Sequence, residues 1–322
     1  MSATAAYRPG LHRSAVLLAC ATAALVFAGG LVTSTGSGLS VPDWPLSFGR
    51  VMPPMRGGVL FEHGHRMLAT SVGLLTIGLM AWLLRRETRG WVRRLGVAAL
   101  TRVVVQGILG GLTVLLKLPL VVSVAHAATA ELFLCLTASI AVVTSRGWIE
   151  APAPLADGGA PSLRALATGA AAVVYVQILL GALVRHAGAG LAIPDFPLAL
   201  GRLVPPLGSR LVAYHFAHRV GAAATSAWLV WLVVRVLRDR GDVAALRRPA
   251  LLLVVLLAFQ IFLGAVTVWS RRAVIPTTLH LLTGALILVT TVVIALRTRR
   301  LLAPAHRTRT AAGPALVGIA SA

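Results

Sequence analysis

Acidic residues are scarce in this 322-residue chain, nine Asp plus Glu against thirty Lys plus Arg, for a formal net charge of +21. Lysine is scarcer still: Lys117 stands alone, so the positive charge is arginine. Charged residues of every kind make up only 12% of the chain while 57% is hydrophobic, which excludes an ordinary soluble domain and points to an integral membrane protein. A nucleic-acid binder can carry such a basic balance. Here the arginines fall between apolar stretches long enough to cross a bilayer, so the partner is lipid and not nucleic acid. The two cysteines, Cys20 and Cys135, sit inside apolar runs and offer neither a disulfide framework nor a thiolate metal site.

A span needs about 20 apolar residues at 1.5 Å rise per residue, and eight candidates stand out: 14–34, 67–85, 95–116, 120–144, 164–184, 220–236, 249–269 and 277–296. The first follows Arg8 and Arg13 as a signal peptide would, but it is too long and lacks a clear cleavage pattern, so it reads as a retained helix. Arginines cluster at 85–94 and 235–248 and at both chain ends, on one side of the predicted membrane. The excess on that side places both termini in the cytoplasm of a bacterial cell membrane protein, with the surplus charge meeting anionic lipid.

Internal repetition organises the chain. Residues 36–54 read GSGLSVPDWPLSFGRVMPP and residues 188–206 read GAGLAIPDFPLALGRLVPP. Gly64-His65-Arg66 corresponds to Ala217-His218-Arg219, Gln106 to Gln260 and His126 to His280. Four crossings return a chain to its starting side, so the halves share one orientation. The expected architecture is all-α, with eight transmembrane helices as two pseudo-twofold-related four-helix bundles: 1–145, a Pro/Gly/Ala-rich linker at 146–163, 164–302, and a basic tail at 303–322.

Seven of the nine histidines lie at the predicted outer face, and His12 and His306 lie in the cytoplasmic ends. His65, His126, His218 and His280 each open an even-numbered span. Two imidazoles on facing helices at matching depth are what a planar macrocycle needs to have both axial positions of its iron filled. Zinc would require a tetrahedral set, and no carboxylate or thiolate cluster competes for another metal. Two bundles then mean two haem sites. Arg66 and Arg219, next to two of these histidines, together with Arg50, Arg56, Arg202 and Arg210, suit either haem propionates or lipid headgroups. Asp43 and Asp195, in the PDWP and PDFP turns, are placed to cap the loop or pair with arginine.

Departures from the repeat carry the catalytic information. Glu62 is matched by His215, and it precedes His65 by three residues, one helical turn. A carboxylate there can take a proton or stabilise developing positive charge, or it can pair with Arg56 or Arg66. His63, His186 and His215 are unmatched and read as supporting or interfacial groups. Arg102 and Glu131 are isolated ionisable residues inside spans, for which a buried ion pair is the first reading and a proton path the sharper one. Gln106 and Gln260 read as interhelical hydrogen-bonding residues.

The stretches TGSGLSVPDWPLSFG (35–49), FEHGHR (61–66), HAGAGLAIPDFPLALG (186–201), YHFAHR (214–219) and TTLHLLTG (277–284), with the His126 region, resemble the haem A synthase family. The resemblance covers nearly the whole chain between its tails. It implies an oxidoreductase acting on a CH3 group, converting the C8 methyl of haem O to the formyl group of haem A for cytochrome oxidase assembly. Substrate haem O would sit between His65 and His126 with Glu62 as the catalytic carboxylate, and haem b between His218 and His280. Water would supply the oxygen, electrons would leave through the second haem to an acceptor the sequence does not identify, and a protoporphyrin farnesyltransferase would donate haem O. A homo-oligomer is compatible with this. Many bacterial members carry a cysteine pair in the first outer loop, and this chain has none there. The competing reading is a di-haem b membrane cytochrome passing electrons between quinol and a partner, which leaves the lone Glu62 unexplained. A parallel-repeat transporter ranks last, because polar groups gather at one face and not at mid-membrane.

Overall fold

The computed structural model describes residues 6–157 and 159–304. Among them, eight helices are long and apolar enough to cross a membrane: α1 (Pro9–Ser34), α2 (Gly58–Arg86), α3 (Gly90–Leu115), α4 (Leu120–Val143), α5 (Leu163–His186), α6 (Arg210–Arg240), α7 (Ala244–Trp269) and α8 (Val274–Leu301). Each contains the span expected from hydropathy to within a residue or two at its limits. α2 and α6 begin two to three turns earlier than hydropathy indicates, because FEHGHR and YHFAHR are too polar to register as span yet continue the helix. Large apolar side chains such as Leu74, Ile77, Val104, Ile108, Val255 and Phe262 face outward, as a lipid solvent permits.

Helix α1 packs on α2 and α4, and α3 packs on α2 and α4; α5 to α8 close the same ring. Each ring has its own apolar cluster. The first draws on Leu11 and Leu18 of α1, Val72 and Leu83 of α2, Val92 and Ala99 of α3, and Phe133 and Ile140 of α4. The second draws on Leu163 and Val174 of α5, Leu229 and Val236 of α6, Leu246 and Leu253 of α7, and Ile287 and Ile294 of α8. Both clusters fill the end of the bundle opposite the histidines.

The halves meet where α1 packs on α8 and α4 packs on α5 and α8. At the histidine end, Arg185 Nη2 donates to the Gly30 carbonyl at 2.7 Å and to Ser34 Oγ at 2.8 Å, and Thr278 Oγ1 donates to Ser34 Oγ at 2.9 Å. Tyr175 Oη donates to the Ala128 carbonyl across the same seam.

The linker is more ordered than its composition suggests. It forms one helical turn, Arg146–Ile149, and a short strand β1 (Leu155–Asp157) that pairs in parallel with β2 (Leu302–Pro304). Ser162 Oγ then caps α5 by accepting from the Ala165 N–H. Arg300 fastens the linker by donating to the carbonyls of Trp148 and Ala151. The expected tail therefore starts inside β2, and the rest of it, with His306, lies outside the described residues.

Candidate functional site

The construction of the histidine end starts from its two loops. Ser47 and Arg50 exchange both backbone hydrogen bonds around Phe48 and Gly49, which have φ of 54° and 69°. This is the two-residue hairpin turn that requires positive φ at both central positions. Ala199 and Arg202 repeat it around Leu200 and Gly201, with φ of 55° and 72°. Phe48 and Leu200 are unfavourable there, and an aspartate compensates in each half. Asp43 accepts from the N–H groups of Phe48 and Gly49 at 2.7 and 2.8 Å, and Asp195 from those of Leu200 and Gly201, both at 2.8 Å. The hydrogen bonds from Gly49, then Phe48, hold the Asp43 carboxyl below its ordinary value, and those from Gly201, then Leu200, do the same for Asp195.

Because these folded-state values are depressed, the contribution is present above the unfolded carboxyl value and is lost as pH falls through the folded one. Protection of the Phe48 and Gly49 amides, taken relative to intrinsic exchange, is expected to fall below about pH 4, and Asp43→Asn should show the lowered protection already at neutral pH. Unchanged protection in that variant would remove the aspartate from the account.

Arginines fasten each loop to the following helix. Arg66 donates to the carbonyls of Asp43, Leu46 and Val41, and Arg219 to those of Asp195, Leu198 and Ile193. Glu62 adds to the first fastening. Its Oε1 pairs with Arg66 Nη2 at 2.7 Å, its Oε2 accepts from the Val41 N–H at 2.8 Å, and the residue is 3% exposed. The repeat-related contact is the Ile193 N–H donating to His215 Nδ1 at 3.3 Å. Glu62 and His215 thus hold the same loop amide, one with a carboxylate and one with an imidazole. Trp44 closes the first loop over the bundle, its indole seated against Gly111 of α3. His63, buried, shares a hydrogen bond with Ser47 Oγ at 2.8 Å.

The four repeat-related histidines lie about two turns inside their helices, deeper than the span openings where hydropathy put them. Each ring is seated on a glycine of the preceding helix. A Cβ added at Gly29, Gly110, Gly181 or Gly264 would stand 3.0, 3.2, 3.0 or 3.1 Å from Cε1 of His65, His126, His218 or His280. The residue four before each glycine also meets the ring: Leu25, Gln106, Gln177 and Gln260. Omitting Cβ at position i+4 opens the backbone carbonyl of residue i to an imidazole, and His280 Nδ1 lies 3.2 Å from the Gln260 carbonyl.

Within the first half His126 is in Coulombic reach of His65, with His186 of α5 also nearby, and within the second His218 is in reach of His280 and His215. The two rings of each half therefore lie near one another. An iron-bound imidazole wants an acceptor for its other N–H, and the Gln260 carbonyl beside His280 Nδ1 is one. Neighbouring rings, a glycine seat for each, and the backbone four residues before each glycine together fit a bis-imidazole haem site in each half. Gly181→Val is expected to displace His218 and weaken haem retention about tenfold while the helices stay folded, a size typical of outer-shell changes. Haem content and helical circular dichroism on one sample check this, and full haem content in the variant would contradict it.

Sequence reasoning missed Gln177 and the glycine seats. Gly29 and Gly110 recur as Gly181 and Gly264, so the seats were recoverable from the repeat. Gln177 was hidden because Leu25 is its counterpart. The expected Arg102–Glu131 ion pair does not form: Arg102 is exposed on α3, whereas Glu131 is 5% exposed with an unpartnered Oε2. Helical phase, which rough depth ignores, turns Arg102 outward.

Residues 57–293 match the family described as cytochrome oxidase assembly protein. The chain is 34% identical to the heme A synthase of Symbiobacterium thermophilum over 80% of its own length and 85% of that protein. It is 31% identical to the heme A synthase of Shouchella clausii over 70% and 75% of the two chains, and 27% identical to that of Halalkalibacterium halodurans over 87% and 95%.

Proposed function

Because the chain belongs to the cytochrome oxidase assembly (COX15-CtaA) family, we propose that it is a heme A synthase, an oxidoreductase that converts the C8 methyl of haem O to a formyl group. The observation that carries the proposal is the set of four imidazoles seated on glycines, paired within each half. Residues 1–145 form the catalytic bundle, in which His65 and His126 would hold the substrate iron. Residues 164–302 form the pseudo-twofold-related second bundle, with His218 and His280 as ligands to haem b; 146–163 links them and 303–322 is the tail. Both termini face the cytoplasm and both haem sites the outer side of a bacterial cell membrane.

Converting methyl to formyl with oxygen from water releases four electrons and four protons. Bound haem b supplies one-electron relay chemistry toward the acceptor. Glu62, fixed by Arg66 and the Val41 amide, is the residue that takes a proton or balances positive charge at the substrate carbon. Arg66 and Arg219 with exposed Arg50, Arg56, Arg202 and Arg210 provide cations for propionates. The lipid bilayer is the working environment, and an enzyme making the farnesylated porphyrin delivers the substrate.

A di-haem cytochrome shares the four ligands but gives no role to a carboxylate in one half only. Mass analysis of porphyrins extracted from the purified protein separates the two. Haem O, its hydroxylated derivative or haem A beside haem b supports the synthase, and haem b alone in both sites rejects it.

A further inference from the structure

Three of the four imidazoles are clamped by a glutamine and the fourth is not. Gln106 Nε2 lies 3.2 Å from His126 Nδ1 and donates to the His126 carbonyl at 2.9 Å. Gln177 Nε2 lies 3.0 Å from His218 Nδ1 and donates to the His218 carbonyl at 2.8 Å. Gln260 Nε2 lies 3.4 Å from His280 Nε2. Each amide bridges the ligand to the neighbouring helix at the level of the ring. Thr129 holds Gln106 in turn, donating to its Oε1 at 2.6 Å. Leu25 occupies the fourth such position, four residues before Gly29, so buried His65 meets only the Leu25 backbone there and has no side-chain hydrogen-bond partner.

We infer that Leu25 makes His65 the labile ligand of the four, so that the first half can accept one haem and release another while the second keeps its own. An imidazole with no side-chain partner is less firmly oriented, and loss of such an outer partner costs about 10- to 100-fold in metal affinity. A site that turns over its haem requires that weakness, whereas a site holding a permanent relay requires the opposite. Leu25 and Gln177 are positioning residues: they act through His65 and His218. The inference rests on the first half being the substrate site.

The test follows transfer of haem from purified, haem-loaded protein to excess apomyoglobin, by absorption. Wild type should release haem in a fast and a slow phase. Leu25→Gln should slow the fast phase about tenfold, and Gln177→Leu should accelerate the slow phase by a similar factor. Leu25→Ala, which opens space without adding an amide, should not slow release, which separates clamping from packing. An unchanged fast phase in a folded, fully loaded Leu25→Gln protein overturns the inference. Slowing of a phase that mass analysis shows to carry haem b upholds the ligand argument and overturns the substrate assignment instead.

Discussion

Exchanging Glu62 for Gln is expected to leave both haem sites filled while haem A formation falls about 10²- to 10⁴-fold, the range for losing a positioned acid–base group. Glutamine keeps an oxygen for the Val41 amide and gives up the bond to Arg66, which still fastens the loop through the Asp43, Leu46 and Val41 carbonyls. The rival account makes Glu62 only a fastening, since its carboxylate is engaged by Arg66 and the loop. The repeat provides the discriminating variant. His215 holds the equivalent amide with a neutral ring, so Glu62→His should preserve the loop, and if the carboxylate acts on substrate this variant should be as inactive as Glu62→Gln. Wild-type haem A output from Glu62→His, measured in membranes of a host that makes haem O but not haem A, would reduce Glu62 to a structural residue and favour the electron-carrier reading.

The second large effect concerns the other bundle. His218→Ala is expected to remove the more firmly held haem and halve the low-spin signal, because the ring is one of the two ligands assigned to that haem and its Gln177 clamp acts through it. Haem A formation should stop with it, since electrons lose their exit. His65→Ala should spare the firmly held haem and abolish activity by loss of substrate binding. A full low-spin signal in His218→Ala would show that His218 is not an iron ligand and that the second site lies elsewhere.

Much of this architecture could be read in the chain. The spans, the repeat and the four histidines follow from hydropathy and from two loops so alike that their turns reproduce residue for residue, down to Asp43 and Asp195 beneath the positive-φ pairs. What escaped depends on helical phase and on absent side chains. Arg102 and Glu131 are close in depth, yet phase separates them. The polar starts of α2 and α6 hide two to three turns of helix, which puts the imidazoles deeper than hydropathy suggests. A glycine seat has no side chain to announce it, and Gln177 lacks a repeat partner for the same reason that it matters: the first half carries Leu25 there. The catalytic assignment of Glu62 came from an asymmetry, and the structure adds that both versions of that residue hold the loop.

The claim on which the account turns is that His65 with His126, and His218 with His280, each close on one iron. Near-infrared magnetic circular dichroism of the oxidised, purified protein reads axial ligation directly. The account predicts two low-spin bis-imidazole haems per chain. A single such haem in fully loaded protein, or iron carrying any axial ligand other than paired imidazoles, would contradict it.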